Sequence, residues 1–183
     1  TIALRAARRA SKGAHKKNRT MHAGKLWKCW TIEAAKNSDF IDKVIVSTDS
    51  DEIAEISIQN GAEVPFIRPK EFAGDLAKQE DAILHAMNFI EKKFGKYDII
   101  VVLVPTTPLR GSKEIDVCIE DIIINSAKKA IFSVRECDHT PLQSNTLPAD
   151  NSMKDFINKK YKWLNRQEMP TYYQLSGSVC ISE

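Results

Sequence analysis

No acidic residue occurs before Glu33 in this 183-residue chain. The whole sequence holds 27 Lys and Arg against 24 Asp and Glu, a formal net charge of +3. Seven of those cations (Arg5, Arg8, Arg9, Lys12, Lys16, Lys17 and Arg19) fall in the first nineteen residues, which leaves the rest of the chain at net −4. The protein reads as a mildly acidic body with a concentrated basic N-terminal segment, and that segment points towards an anionic ligand.

Other shortages narrow the field. The longest apolar run, Ile99 to Val104, is far short of the ~20 residues that span a bilayer. The N-terminus lacks the apolar stretch of a secretory signal. Four scattered cysteines (Cys29, Cys118, Cys137, Cys180) form no CxxC pair and have no His at ligand spacing, which favours a reduced, cytoplasmic protein. His15, His22, His85 and His139 are likewise unpaired, so structural or surface roles are expected for them. No GxSxG elbow supports a serine hydrolase. With 43% hydrophobic and 28% charged residues, the composition is that of a globular domain with one real core.

What is present alternates strand and helix. Strands are expected over Thr1–Ala7 (interrupted only by Arg5), Lys43–Thr48, Ala62–Ile67, Tyr97–Val104, Ala130–Val134 and Gln174–Ser182. Helices are expected over Trp27–Asn37, from a cap at Asp49, Ser50 or Asp51 as far as Gly61, within Asp75–Lys93, and over Lys113–Asn125 with Ser112 as cap. In the third of these, Ile83, Leu84, Met87 and Ile90 recur at helical spacing. Strands joined by helices predict an α/β fold with a mostly parallel sheet and helices on both faces. Right-handed crossovers then gather the loops Arg8–Arg19, Thr48–Asp51, Arg68–Asp75 and Pro105–Arg110 on one sheet edge, where ligands bind. The alternation breaks at residues 137–173, which carry Pro141, Pro148 and Pro170 and the aromatics Tyr161, Trp163, Tyr172 and Tyr173. This segment is expected as an insertion before the last strand, outside a main domain made of 1–136 and 174–183.

The basic loop after the first strand is the leading chemical candidate. Ser11-Lys12-Gly13 offers a hydroxyl, a cation and a flexible backbone, and Arg8, Lys16 and Lys17 add charge for a polyphosphate. It is not a P-loop, because GxxxxGK[ST] is missing. A solvated basic loop, a transit-peptide-like tail and a nonspecific nucleic-acid patch stand as alternatives.

The string from Ala7 to Asn18, A-R-x-x-S-K-G-x-x-x-K-N, resembles the N-terminal signature of the N-acylneuraminate cytidylyltransferases, or CMP-sialic acid synthetases. The similarity continues through Ala23–Lys25, Trp30–Ala35, Lys43–Asp49, Gly61–Pro69, Gly74-Asp75, Pro105–Arg110, Ser133–Leu142 and Arg166–Ser182. It covers essentially the whole chain, and the order of these strings is more specific than any one of them.

The resemblance implies a Rossmann-like nucleotidyltransferase fold. It also implies a transferase that moves CMP from CTP to the anomeric hydroxyl of a sialic-acid-like 2-keto sugar acid, releasing pyrophosphate. Carried over by position, Arg8 and Lys17 would be catalytic. Arg8, Ser11, Lys12, Gly13, Lys17, Asn18 and Asp75 would bind the nucleotide, and Arg68, Arg110 and Ser176 the sugar acid. Mg²⁺ would be held mainly by the nucleotide phosphates, with no protein metal ligands assigned. The family also implies a homodimer built through the insertion. No membrane partner is expected from the short apolar runs, and the acidic remainder of the chain argues against nucleic acid. This chain departs from the family pattern at Arg5, Arg9, Ala10, Leu26-Trp27-Lys28, Val104 (glutamine in the family) and Ser176-Gly177-Ser178. The family's D-x-D-type acidic motif lies downstream of Glu183. The alternative reading is therefore a scaffold of the same fold, inactive, truncated or engineered, without nucleotidyl transfer.

Overall fold

The computed structural model describes residues 1–7, 21–22, 24–74, 77–104, 106–125 and 127–182. These form two compact units. The first comprises residues 1–133 and 177–183, the second residues 134–176.

The first unit is built on strand β1 (Ile2–Ala7), a two-residue hairpin β2 (Met21–His22) and β3 (Lys25–Leu26), helix α1 (Trp27–Lys36), strand β4 (Lys43–Thr48), helix α2 (Asp51–Gln59), helix α3 (Gln79–Phe94), strand β5 (Ile100–Val102) and helix α4 (Ser112–Ile124). Strands β6 (Ala130–Glu136) and β7 (Tyr173–Ser182) complete a five-stranded sheet of order β4-β1-β5-β7-β6. β1 is an interior strand and pairs in parallel with β4, from Ile2↔Lys43 to Ala7↔Thr48, and with β5, from Ile2↔Ile100 to Leu4↔Val102. β7 runs antiparallel to β5, with Ile100↔Ser182 and Val102↔Cys180. The sheet is thus mixed and mostly parallel.

Alternation along β1 divides the core in two. Ile2 and Leu4 join Ile45, Ala86 and Ile90 on the face covered by α3. Ala3 and Ala7 join Ile32 and Ala35 of α1, Ile53 of α2, and Ile115, Ile119 and Ile122 of α4 on the other. Helices on both faces are what the unbroken apolar runs of β4 and β5 require. In α3 the buried stripe is Ala82, Ala86 and Ile90. Leu84, expected on that stripe, is exposed, because it lies about 200° round the helix from Ala82.

Several boundaries differ from the sequence reading, β6 for one running two residues past the expected Val134. The segment Ala62–Ile67 is not a strand but two isolated parallel bridges, Ile45↔Glu63 and Thr48↔Ile67. Pro65 between them has no N–H to give a ladder. The expected strand Tyr97–Val104 contracts to β5, since both its neighbours pair over only three residues. The cap of α4 is Gly111, not Ser112, and the Gly111 N–H donates to the Glu114 carboxylate at 3.0 Å. Of the three cap candidates for α2, Ser50 is the one used, its hydroxyl accepting from the Ile53 N–H.

The second unit has little regular structure beyond the inner ends of β6 and β7. Cys137 N–H donates to the Tyr172 carbonyl at 2.8 Å, and Arg135 pairs with Asp138 at 2.9 Å. Two short 3₁₀ turns, Pro141–Gln143 and Arg166–Glu168, interrupt the connecting chain. Trp163 and Tyr173 are exposed, while Tyr161 and Tyr172 are half-buried.

Candidate functional site

At the C-terminal ends of β1, β4 and β5 lies a cleft of about 340 Å³. Sites for small molecules typically run from about 300 to 1,000 Å³. One wall is Ala6 at the end of β1, with Val104 and Thr106 just beyond β5. The opposite wall is Arg68, Phe72 and Gly74, followed by Lys78 and Gln79 where α3 begins. No Asp or Glu is among these described lining residues. Two cations line this cleft beside the N-terminus of α3, whose partial positive charge is met by Glu80 and Asp81 in the first turn.

Arg68 is fixed from below. Its backbone N–H donates to the Thr48 carbonyl at 2.7 Å, continuing the bridge to β4. Its side chain is buried, with Nε donating to Ser47 Oγ at 3.0 Å and Nη2 to the Ser47 carbonyl. Phe72 packs on the His85 ring, which also meets Phe66 edge-on at 5.1 Å, so His85 has the structural role expected of it.

Two further arginines are buried beside the sheet. Arg5 lies between Ala3 and Ala7 on the same strand face, the one covered by α1 and α4. Desolvation pulls its guanidinium far below the ordinary value, to about 9; nearby Cys29 offsets this in part and Arg110 adds to it. Arg110 follows β5 and is 6% exposed. Its Nη1 donates to Thr107 Oγ1 at 3.1 Å, to the Val104 carbonyl at 3.4 Å and to the Ser178 carbonyl. Burial lowers Arg110 to about 10, against the raising influence of Glu114.

The predicted site residues are therefore distributed unevenly. Arg68 lines the cleft. Arg110 is turned into main-chain acceptors, and Ser176 belongs to the second unit. Arg8, Ser11, Lys12, Gly13, Lys17, Asn18 and Asp75 lie outside the described residues. Sequence reasoning passed over Phe72, Lys78, Gln79 and Thr106. Thr106 stood inside the Pro105–Arg110 string, and Lys78 directly before an amphipathic helix, so both carried a usable signal. Among the described residues no cluster of three or more His, Cys, Asp or Glu side chains is placed to hold a metal ion, and no helix is long and apolar enough to cross a membrane.

A mostly parallel α/β sheet with a cleft at its strand ends that holds Arg68 and Lys78 is the class of protein that this fold and site define. A family model described as cytidylyltransferase matches residues 2–176, and the chain belongs to that family. The pseudaminic acid cytidylyltransferase of Campylobacter jejuni is 29% identical over 172 residues, covering 94% of this chain and 73% of the relative. The N-acylneuraminate cytidylyltransferase of Escherichia coli is 32% identical over 181 residues, covering 99% of this chain but 42% of the relative. Among solved structures, a CMP:2-keto-3-deoxy-manno-octonic acid synthetase complexed with CTP matches with a TM-score of 0.70 at 16% identity, over 99% of this chain and 73% of that one. That last likeness establishes the nucleotidyltransferase fold.

Proposed function

We propose that this protein transfers CMP from CTP to a sialic-acid-like 2-keto sugar acid. The anomeric hydroxyl oxygen forms a bond to the α-phosphorus, and the bond from that phosphorus to the β-phosphate bridging oxygen breaks. Pyrophosphate leaves with the bonding pair, and the hydroxyl proton passes to solvent or a nearby base. The observation that carries this reading is the cleft holding Arg68 and Lys78 at the strand ends, with no acid among its described lining residues, in a chain of the cytidylyltransferase family.

Such chemistry rests mainly on positioning and charge neutralisation. β1 ends at Ala7, and the basic segment proposed to hold the triphosphate follows directly in sequence. In this proposal Arg8 and Lys17 neutralise charge at the reacting phosphorus, with Ser11 and Lys12 on the other phosphate oxygens. Gly13 permits close backbone approach, Asn18 and Asp75 contact the nucleoside, and Arg68 and Ser176 serve the substrates. Mg²⁺ carried by the nucleotide would supply charge neutralisation at the phosphates, with no protein ligand assigned to it. We place the reaction in the cytoplasm and in a homodimer formed through the second unit, on whose surface Trp163, Tyr173 and Leu175 are exposed.

The test is pyrophosphate release from CTP and Mg²⁺, with N-acetylneuraminate, pseudaminic acid and N,N'-diacetyllegionaminic acid as acceptors. Turnover with at least one acceptor is expected. Absence of both turnover and calorimetric CTP binding would overturn the proposal. One observation favours a second reading, a scaffold without transfer: Val104 brings an apolar side chain to the cleft, where a hydrogen-bonding group would orient a sugar. CTP binding with no pyrophosphate release for any acceptor is the result that reading requires.

A further inference from the structure

Arg110 makes an unusual set of contacts for a buried cation. A single terminal nitrogen, Nη1, serves the carbonyls of Val104 and Ser178 and the hydroxyl of Thr107. The other two nitrogens, Nε and Nη2, are buried without a hydrogen-bond partner among the described residues. A desolvated guanidinium bound only to neutral acceptors is a costly way to stabilise a fold. What the contacts do fix is a location. β5 and β7 pair as far as Val102↔Cys180, and by the same register Val104 stands opposite Ser178. The regular ladder ends before that level, and Arg110 bridges the two carbonyls there.

The same level is packed from the β7 side. Gly177 has φ +66°, a conformation that favours glycine, and a Cβ added to it would lie 3.4 Å from Val104 Cγ2. Val104 is thus held by Arg110 through its carbonyl and backed by Gly177 against its side chain, while it and Thr106 form one wall of the cleft.

We propose that Arg110 is a positioning residue for the candidate site. It sets the Val104–Thr106 wall through the carbonyls of Val104 and Ser178, without touching the ligand. The kinetic half of this inference rests on the cytidylyl-transfer reading; the structural half does not.

The experiment compares the wild type with Arg110→Met, Arg110→Lys and Gly177→Ala. It measures melting temperature, KM and kcat for CTP and for the acceptor, and hydrogen–deuterium exchange. A wall misplaced by an ångström costs on the order of 100-fold in rate. Arg110→Met is expected to lower kcat/KM by roughly that factor while remaining folded. Arg110→Lys keeps the charge but loses the planar fork, so it should recover little. Gly177→Ala strains the backbone at φ +66° next to Ser178 and sets a Cβ against Val104 without altering any guanidinium, so it should lower kcat/KM in the same sense as Arg110→Met. Both variants should speed exchange over residues 103–108 and 177–179.

If Arg110→Met does not fold, Gly177→Ala decides alone. Unchanged kinetics in an active, folded variant would overturn the proposal. So would a loss of ligand affinity confined to the Arg110 variants, which would mean direct contact. A wild type that neither binds CTP nor releases pyrophosphate would defeat the functional reading instead. Exchange then carries the test, and unchanged protection at 103–108 and 177–179 would overturn the positioning role.

Discussion

Arg68 grips both polar groups of Ser47, its Nε on the hydroxyl at 3.0 Å and its Nη2 on the carbonyl. Ser47 is fully buried in β4, so the cleft's arginine is anchored in the sheet rather than in its own loop. Ser47→Ala leaves Nε without that acceptor, and hydrogen bonds to charged groups are worth about 1.5–3 kcal/mol. We expect a stability loss of that order in urea titration, together with weaker calorimetric binding of CTP. Arg68→Lys should behave alike, because an ammonium cannot reproduce the two-point grip. Full stability in Ser47→Ala would show that the clamp contributes nothing.

Gly95 offers a test of backbone strain without crowding. It ends α3 at φ 87°, ψ −176°, a region essentially reserved for glycine. Nothing lies within 4 Å of where its Cβ would be. Gly95→Ala should therefore cost about 1–3 kcal/mol by backbone conformation alone. CTP binding should stay unchanged, since Gly95 lies at the far end of α3 from Lys78 and Gln79. A melting temperature equal to the wild type would refute the strain argument.

Arg5 gives a pH-dependent prediction. Its folded-state pKa is depressed to about 9, mainly by desolvation, whereas the unfolded side chain stays protonated well above that. Below about pH 9 both states hold the proton and the full burial cost is present. Above it the unfolded state binds more protons, so this contribution to stability rises with pH. Arg5→Met, similar in volume and uncharged, should raise the urea midpoint at pH 7.5. Its advantage should shrink as pH climbs through 9 and 10. A variant less stable than the wild type at pH 7.5 would show that what the guanidinium contacts outweighs its desolvation.

Much of the architecture was legible because it is written in periodicity. KVIVST became β4 without a shift of one residue, and the helix between Gly61 and its Ser50 cap ended where its signals stood. Strand ends were less legible, because they depend on partners. Tyr97–Val104 reads as one strand, yet only Ile100–Val102 finds neighbours on both sides. The burial of Arg5 was legible from its place in an apolar strand, and it follows from β1 being an interior strand of the sheet. At the site, Arg68 was found through its resemblance to a family string. The role of Ser47 beneath it depends on a contact 21 positions away, which no spacing rule reveals.

The basic segment yields the sharpest functional prediction, because its charges divide into two groups. Lys12 and Lys17 match family positions for the triphosphate, whereas Arg9 and Arg19 are surplus to that pattern. All four lie outside the described residues, so the expectation comes from sequence and charge. A compact triphosphate takes specific charge-assisted bonds worth about 1.5–3 kcal/mol each. Lys12→Ala and Lys17→Ala should each weaken CTP binding by roughly 10- to 100-fold on that basis. Arg9→Ala and Arg19→Ala should stay within about twofold, since neither matches a family position for the phosphates and a general charge contribution is screened by salt. A nonspecific polyanion site would behave differently. All four substitutions would then weaken binding alike, single-stranded DNA would compete with CTP, and affinity for it would fall steeply with salt. Calorimetry of the four variants at two salt concentrations separates the cases, and equal losses across all four would exclude a dedicated triphosphate cradle.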